Sequence, residues 1–227
     1  MLSVELHAHS SLSHDGRDPV EMLLEQAAAV GLDALAVTDH DAFAASQEAV
    51  ALAPEYDLIG IPAMEVTSTA GHVLAMGIAE QVPSQLSFLE TIEAIRDAGG
   101  IAIVPHPFQK SRSGVAANVP EATLRQSDAI EVYNSRLLTG RANRRARSFA
   151  EREGVPQTAG SDAHIAEMVG QAVTAVDPAE PTAEGIVDAI RAGNTSVEGR
   201  RTPWHISFRQ AAGGAKRRVR NRLSDIF

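Results

Sequence analysis

Two histidines two residues apart, His7 and His9, close the first apolar stretch of the chain (Val4-Glu5-Leu6). Side chains two apart on an extended strand share a face. An extended His7-x-His9 therefore aims two imidazoles at one spot, the arrangement that suits a divalent metal. The same spacing recurs at Asp162-x-His164. His40, Glu65 and His106 each stand where a short apolar run ends, and His72 opens the run after Glu65. One histidine after a strand is more often structural than a ligand. Five separate strand segments, bringing seven of the chain's eight histidines within reach of one place, carry the metal reading. Cysteine is absent, so the donors are imidazole and carboxylate. That set suits Zn²⁺, Mn²⁺ or Fe²⁺ better than the all-oxygen sites of Mg²⁺ or Ca²⁺. There are too many donors for one tetrahedral ion, which implies two or three.

The elements that must position these side chains follow from pattern. Asp18-Pro19-Val20-Glu21 reads as a helix start, with Asp18 as N-cap, Pro19 at the first helical position and Glu21 completing a capping box. That helix runs to Val30 and ends at Gly31. Leu35–Val37 is a buried strand that breaks at Thr38-Asp39-His40-Asp41, and residues 42–53 read as the next helix. Leu58–Met64 is a strand ending on Glu65, and Gly71–Gly77 follows as another. Leu86–Ala98 is helical. Ile101–Val104 runs into Pro105-His106-Pro107, and Ala129–Tyr133 ends at Asn134. An arginine-rich helix covers 139–153, Gln157–Ala159 leads to Gly160-Ser161-Asp162, Val173–Val176 is the last core strand and 182–192 the last helix.

Continuously apolar strands alternating with helices predict an α/β fold with a parallel sheet covered by helices. Seven or so units favour a closed barrel over an open sheet, and a barrel gathers its strand C-termini on one rim. No Gly-x-Gly-x-x-Gly or Walker-type loop follows a strand, which argues against nucleotide cradling of those kinds.

At 227 residues and 44% hydrophobic, the chain can bury one sizeable core. Residues 1–200 read as one domain and 201–227 as an extension with a basic tail. No apolar run is long enough for a membrane span and no signal peptide precedes the first strand, so a cytoplasmic protein with no membrane partner is expected. Residues 1–215 carry 28 acids against 15 Lys and Arg, whereas residues 216–227 carry five basic residues against Asp225. An acidic body argues against broad, non-specific duplex binding. The tail is expected to be dispensable for chemistry.

The motifs Leu6-His7-Ala8-His9-Ser10, Thr38-Asp39-His40, Glu65, Gly71-His72, Pro105-His106-Pro107 and Gly160-Ser161-Asp162-Ala163-His164 resemble, in order, those of the PHP (polymerase and histidinol phosphatase) family of metal-dependent phosphoesterases. The resemblance implies a distorted (β/α)₇ TIM-like barrel holding up to three metals. It implies that His7, His9, Glu65 and Asp162 hold a first ion, and that Glu65 bridges to a second held by His72 and His106. Asp15, His40 and His164 would hold a third, with Glu65, Asp162 and His164 as the groups closest to the reaction. The family's ligand after the first histidine falls where both His14 and Asp15 stand here, and Asp15, which precedes Gly16, is the expected one.

Three divalent ions bring about +6, three carboxylates return about −3, and a bridging hydroxide leaves about +2, which matches a phosphomonoester dianion. Metals there activate a bridging water and polarise phosphoryl oxygens. Arg17, Lys110, Arg112 and Arg136 follow strand ends and are candidates to clamp phosphate or sugar, with Asn134 as a rim hydrogen bond. A solvated or capping role is the competing reading for each, and His205 reads as structural. The expected substrate is a phosphorylated small molecule, a nucleotide or a short oligonucleotide. Alternatives are a 5′-to-3′ exonuclease or nucleotide phosphatase acting on nucleic-acid ends, and a non-catalytic RNA-binding barrel like an RNase P protein subunit. An amide hydrolase using a carboxylated lysine is disfavoured, because neither Lys110 nor Lys216 ends a strand. Oligomeric state is not legible.

Overall fold

Short strands, most of them lined by buried side chains, set the frame. The structure, a computed structural model, describes residues 1–136 and 140–200. Ten strands run in order: β1 (Leu2–Ala8), β2 (Ala34–Val37), β3 (Ile59–Ile61), β4 (Ala63–Ser68), β5 (Gly71–Met76), β6 (Ile101–Val104), β7 (Ala129–Asn134), β8 (Gln157–Gly160), β9 (Ala172–Val176) and β10 (Thr195–Gly199). Six helices accompany them: α1 (Val20–Ala29), α2 (Ala44–Leu52), α3 (Phe88–Asp97), α4 (Glu121–Leu124), α5 (Arg141–Glu153) and α6 (Ala183–Arg191). The fold is mixed α/β. Residues 137–139 and the basic extension, with His205 and Lys216, lie outside the described residues.

The strands form two five-stranded sheets, β10-β9-β1-β2-β3 and β4-β5-β6-β7-β8. Pairing is mixed, not uniformly parallel: β4–β5, β5–β6, β1–β9 and β9–β10 are antiparallel. The cause at β4–β5 is local. Only Thr69 and Ala70 connect the two strands, and so short a link can return only antiparallel, since a parallel partner needs a crossover of about a dozen residues. Pro62 corrects a second expectation. It divides the run 58–64 into β3 and β4, because proline offers no N–H to a ladder. Glu65 sits within β4, not at a strand end, because the pairing with β5 carries the strand on to Ser68.

The start of α1 also differs. No side chain caps it; the Asp18 carboxylate instead accepts the Ala166 N–H at 2.7 Å, tying the loop after β1 to the loop after β8. At α3 a full capping box forms between Ser87 and Glu90.

Several contacts among the described residues join the sheets. Ala8 bridges Ala163 and His40 bridges Glu65, both parallel. The buried Thr174 hydroxyl of β9 accepts the Ala159 N–H at 2.9 Å and donates to the Ala159 carbonyl at 3.0 Å. The motif residues gather along this seam.

Replacing the hydroxyl by a methyl, Thr174→Val, keeps the volume and removes the staple. The buried Ala159 N–H then loses its partner, which costs about 1–3 kcal/mol. Urea unfolding is expected to show a lower midpoint at unchanged slope.

Candidate metal centre

β1 delivers His7 at its end and His9 just beyond it, both with no solvent exposure. β2 leads into His40, β4 carries Glu65, β5 opens with His72, β6 leads into His106, and β8 leads into Asp162 and His164. All nine expected donors meet at one place. Glu65 is its middle. Its Oε2 lies 3.5 Å from His7 Nε2, 3.3 Å from His9 Nε2 and 3.3 Å from His40 Nδ1. Its Oε1 lies 2.9 Å from His72 Nδ1 and 3.7 Å from His106 Nε2. The carboxylate thus spans two groups of imidazoles.

Asp162 Oδ1 lies 3.9 Å from His7 Nε2 and 3.3 Å from His164 Nδ1. Asp15 Oδ2 lies 2.7 Å from His164 Nε2 and 3.3 Å from His40 Nε2. Three-residue clusters with all donors within 4.8 Å of one another are His7-His9-Glu65, His9-Asp15-His40, His9-Asp162-His164, His40-Glu65-His72 and His7-His106-Asp162. Asp15 belongs to such a cluster and His14 to none; the His14 ring lies 4.8 Å from that of His40. His72 and His106 share Glu65 Oε1, as the family resemblance implies, and each also neighbours a further group, His72 that of His40 and His106 that of His7 and Asp162.

This donor set fits divalent cations. His7 Nε2, both ring nitrogens of His9, and His106 Nδ1 are buried without a hydrogen-bond partner, a costly condition for polar atoms that a metal relieves. The charge pattern points the same way. Burial alone would raise the pKa of Glu65, yet His7 and the surrounding imidazoles hold it well below the usual carboxylate range. Burial likewise opposes Asp162, but Arg136, His7, His164 and Arg112 pull it well below its ordinary value. Asp15 is depressed against its burial by His164 and His40. Burial pushes His7 down, but Glu131, Asp162 and Glu65 outweigh it and lift His7 well above its ordinary value. His40, also opposed by burial, is raised to about 9 by Asp15 and Glu65. Two buried acids, Glu65 and Asp162, and the half-buried Asp15 draw positive charge around them, which favours binding of cations.

The backbone around the site is unusual. Asp41, His106, Ser113 and Asp162 have φ of 52°, 30°, 55° and 52°, a region that disfavours side chains and clusters at functional sites. All four line a cavity of about 590 Å³ with His14, Asp15, His40, Glu65, Thr67, His72, Ser111, Arg112, Arg136 and His164. The lining carries both signs of charge, and they meet at His164 Nε2, which has Asp15 Oδ2 at 2.7 Å and Arg136 Nη1 at 2.8 Å. Arg112 Nη1 lies 2.9 Å from Asp162 Oδ2 and Arg136 Nη1 2.8 Å from Asp162 Oδ1.

The other candidates for substrate contact lie elsewhere. Arg17 and Lys110 are outside the cavity lining. Asn134 is buried behind it, donating through Nδ2 to Glu131 Oε2 at 3.0 Å and Asp162 Oδ2 at 3.4 Å, so it braces the site. Two buried carboxylates are additional to the expected residues. Glu5 accepts the N–H groups of His7, Ser161 and Gly170 at 3.1, 3.0 and 3.1 Å, and burial pushes its pKa up to about 7. Glu131 meets His7 Nδ1 at 3.0 Å. The available signal was a lone acid inside an apolar strand, as in Ala129-Ile130-Glu131-Val132.

Among the described residues, no helix is long and apolar enough to cross a membrane. An uncharacterized protein of Methanocaldococcus jannaschii is 29% identical over 168 residues, 70% of this chain and 96% of that one. A phosphoribosyl 1,2-cyclic phosphate 1,2-diphosphodiesterase of Eggerthella lenta is 35% identical over 86 residues, 35% of this chain and 32% of that protein. A crystal structure from Bacteroides vulgatus, of a two-domain protein containing a predicted PHP-like metal-dependent phosphoesterase, shares the fold. It matches with a TM-score of 0.74 at 20% identity, over 88% of this chain and 65% of that one. A family model described as PHP-associated matches residues 140–195. The model of the PHP domain itself matches residues 5–139, more than half of the chain, and the chain belongs to that family.

Proposed function

We propose that the chain is a metal-dependent phosphoesterase acting on phosphate esters at a centre of two or three divalent ions (Mn²⁺, Zn²⁺ or Fe²⁺). The observation that carries this reading is Glu65, which lines one cavity with Arg112 and Arg136 and reaches back to the buried imidazoles of His7 and His9, whose Nε2 atoms have no hydrogen-bond partner. Bound there, the ions would activate water and polarise the phosphoryl group.

The chain's own residues do the rest. Glu65 holds imidazoles on both sides of one carboxylate, which keeps the donor groups at fixed separation. Asp15 and Asp162 bring negative charge to opposite flanks of His164. Arg112 and Arg136 offer planar forks suited to phosphate oxygens, and Asp162 holds both guanidiniums at the cavity edge before substrate arrives. The name of the relative from Eggerthella lenta, a diphosphodiesterase, is in keeping with phosphate chemistry.

A second reading, action on nucleic-acid ends, has one observation in its favour. The arginine-rich α5 adjoins the site: Asn143 bonds the Asn134 backbone through both N–H and carbonyl, and Arg145 stacks 4.2 Å from the Phe108 ring centre. Arg141, Arg144 and Arg147 are exposed on the same helix. A single strand could follow that face into the cavity.

The deciding experiment is a phosphatase panel, including 5′-phosphorylated dinucleotides, run with Mn²⁺, Zn²⁺ and Fe²⁺ in turn, alongside elemental analysis of protein purified without chelator. At least two metal equivalents and turnover of a phosphate ester are expected. Fewer than one equivalent, or no turnover with any metal, removes the reading. Glu65→Gln is expected to lower kcat by more than about 100-fold, beyond what changes outside the ligand set cost, with the circular dichroism spectrum unchanged.

Asp15→Ala is expected to lose a metal equivalent and His14→Ala to keep it. The reverse result would assign the ligand to His14.

A further inference from the structure

We infer that Glu131 is a positioning residue that holds the neutral His7 ring with its proton on Nδ1, leaving Nε2 bare toward Glu65. The inference rests on the metal-centre reading and concerns a residue outside the donor set. Glu131 lies on β7, only 2% exposed. Its Oε1 faces His7 Nδ1 at 3.0 Å. Its Oε2 accepts the His106 N–H at 2.8 Å and the Asn134 Nδ2–H at 3.0 Å.

A carboxylate only accepts, so the ring nitrogen facing Oε1 must donate. In the neutral ring, the form that ligates a metal, His7 Nε2 is then the bare nitrogen, and it is the buried atom of that ring that has no hydrogen-bond partner, 3.5 Å from Glu65 Oε2. The pairing has little freedom. A Cβ at Gly160 would lie 2.5 Å from His7 Cβ and 2.6 Å from Glu131 Oε1, so only glycine lets the two approach there. The Oε2 contact also supports the left-handed backbone of His106, at φ 30°. One side chain therefore sets a ring orientation at His7 and a backbone conformation at His106.

The donors at Oε2 cannot reverse. One is a backbone N–H. The other is an amide whose opposite end, Asn134 Oδ1, already accepts the Arg136 N–H at 3.1 Å. In Glu131→Gln the new amide oxygen must take the Oε2 place, because an NH₂ there would confront two donors. Its NH₂ then faces His7 Nδ1 and forces that nitrogen to accept. The His7 proton moves to Nε2, where it blocks ligation. The substitution is nearly isosteric, so the fold is kept while the tautomer is inverted.

The test is ¹⁵N-histidine NMR of the full chain stripped by chelator, followed by Zn²⁺ titration calorimetry. Wild type is expected to show a hydrogen-bonded Nδ1–H on His7 and Glu131→Gln to lack it, with Zn²⁺ bound about 10–100-fold more weakly. Wild-type His7 without an Nδ1 proton overturns the inference, and this holds even if the variant does not fold. A variant that keeps the Nδ1 proton overturns it as well, as does one that loses the proton yet binds Zn²⁺ as wild type does. A wild-type chain that binds no Zn²⁺, Mn²⁺ or Fe²⁺ fails the metal reading instead, and the NMR result still decides what Glu131 does to His7.

Discussion

Burial of the Glu65 carboxylate is the constraint on which the rest of the structure depends. It is 1% exposed, and an isolated ionised carboxylate in such surroundings is strongly unfavourable unless positive charge surrounds it. Glu65 sits on β4 of one sheet, while the imidazoles facing its Oε2 come from β1 and the segment after β2 in the other. The two sheets meet there through the His40–Glu65 bridge. The electrostatic requirement of one side chain and the closure of the fold are thus met by the same contacts. Neutralising Glu65 removes the feature that makes the surrounding imidazoles compatible with burial.

Three further carboxylates, of which only Asp41 lines the cavity, keep this arrangement in place. Glu5 accepts three backbone N–H groups from β1, the segment after β8 and Gly170. Asp39 takes the N–H of Ser10 at 2.7 Å and its hydroxyl as well, which fixes the chain just past His9. Asp41 accepts the Thr67 N–H at 2.7 Å while its own backbone stays left-handed. Each bond satisfies a buried donor and sets the direction of the next cavity residue. Left-handed backbone at His106 and Asp162 costs on the order of 1–3 kcal/mol each, and it persists because such bonds leave no relaxed alternative.

Much of this was legible in the chain. Two imidazoles at the strand spacing, the Asp162-x-His164 repeat and apolar runs ending in His or acid are local patterns, and local patterns survive folding. Three features were not legible, each for a physical reason. Pro62 splits one apolar run into two strands and pairing with β5 carries the second past Glu65, so Glu65 could be placed near a terminus but not within its strand. The β4–β5 return depends on a two-residue link that periodicity cannot distinguish from a longer one. Asp18 has every mark of an N-cap, yet a tertiary partner, the Ala166 N–H, takes its carboxylate. Glu131 and Glu5 show the complementary case. A single acid in an apolar strand looks like an exception to the pattern, and only the folded chain reveals which donors it faces.

The charges that line the cavity follow from the same competition. Asp162 is shared: its Oδ1 faces the imidazoles of His7, His9 and His164 and also meets Arg136, while its Oδ2 holds Arg112. A guanidinium is always charged and, when partly buried, needs an anion within reach. Asp162 fills that need for both arginines, and His164 Nε2 is contested in the same way, with Asp15 Oδ2 at 2.7 Å and Arg136 Nη1 at 2.8 Å. Acids and guanidiniums therefore interleave around the imidazoles instead of separating. Each is held in place by charges that the fold must already balance in order to bury Glu65.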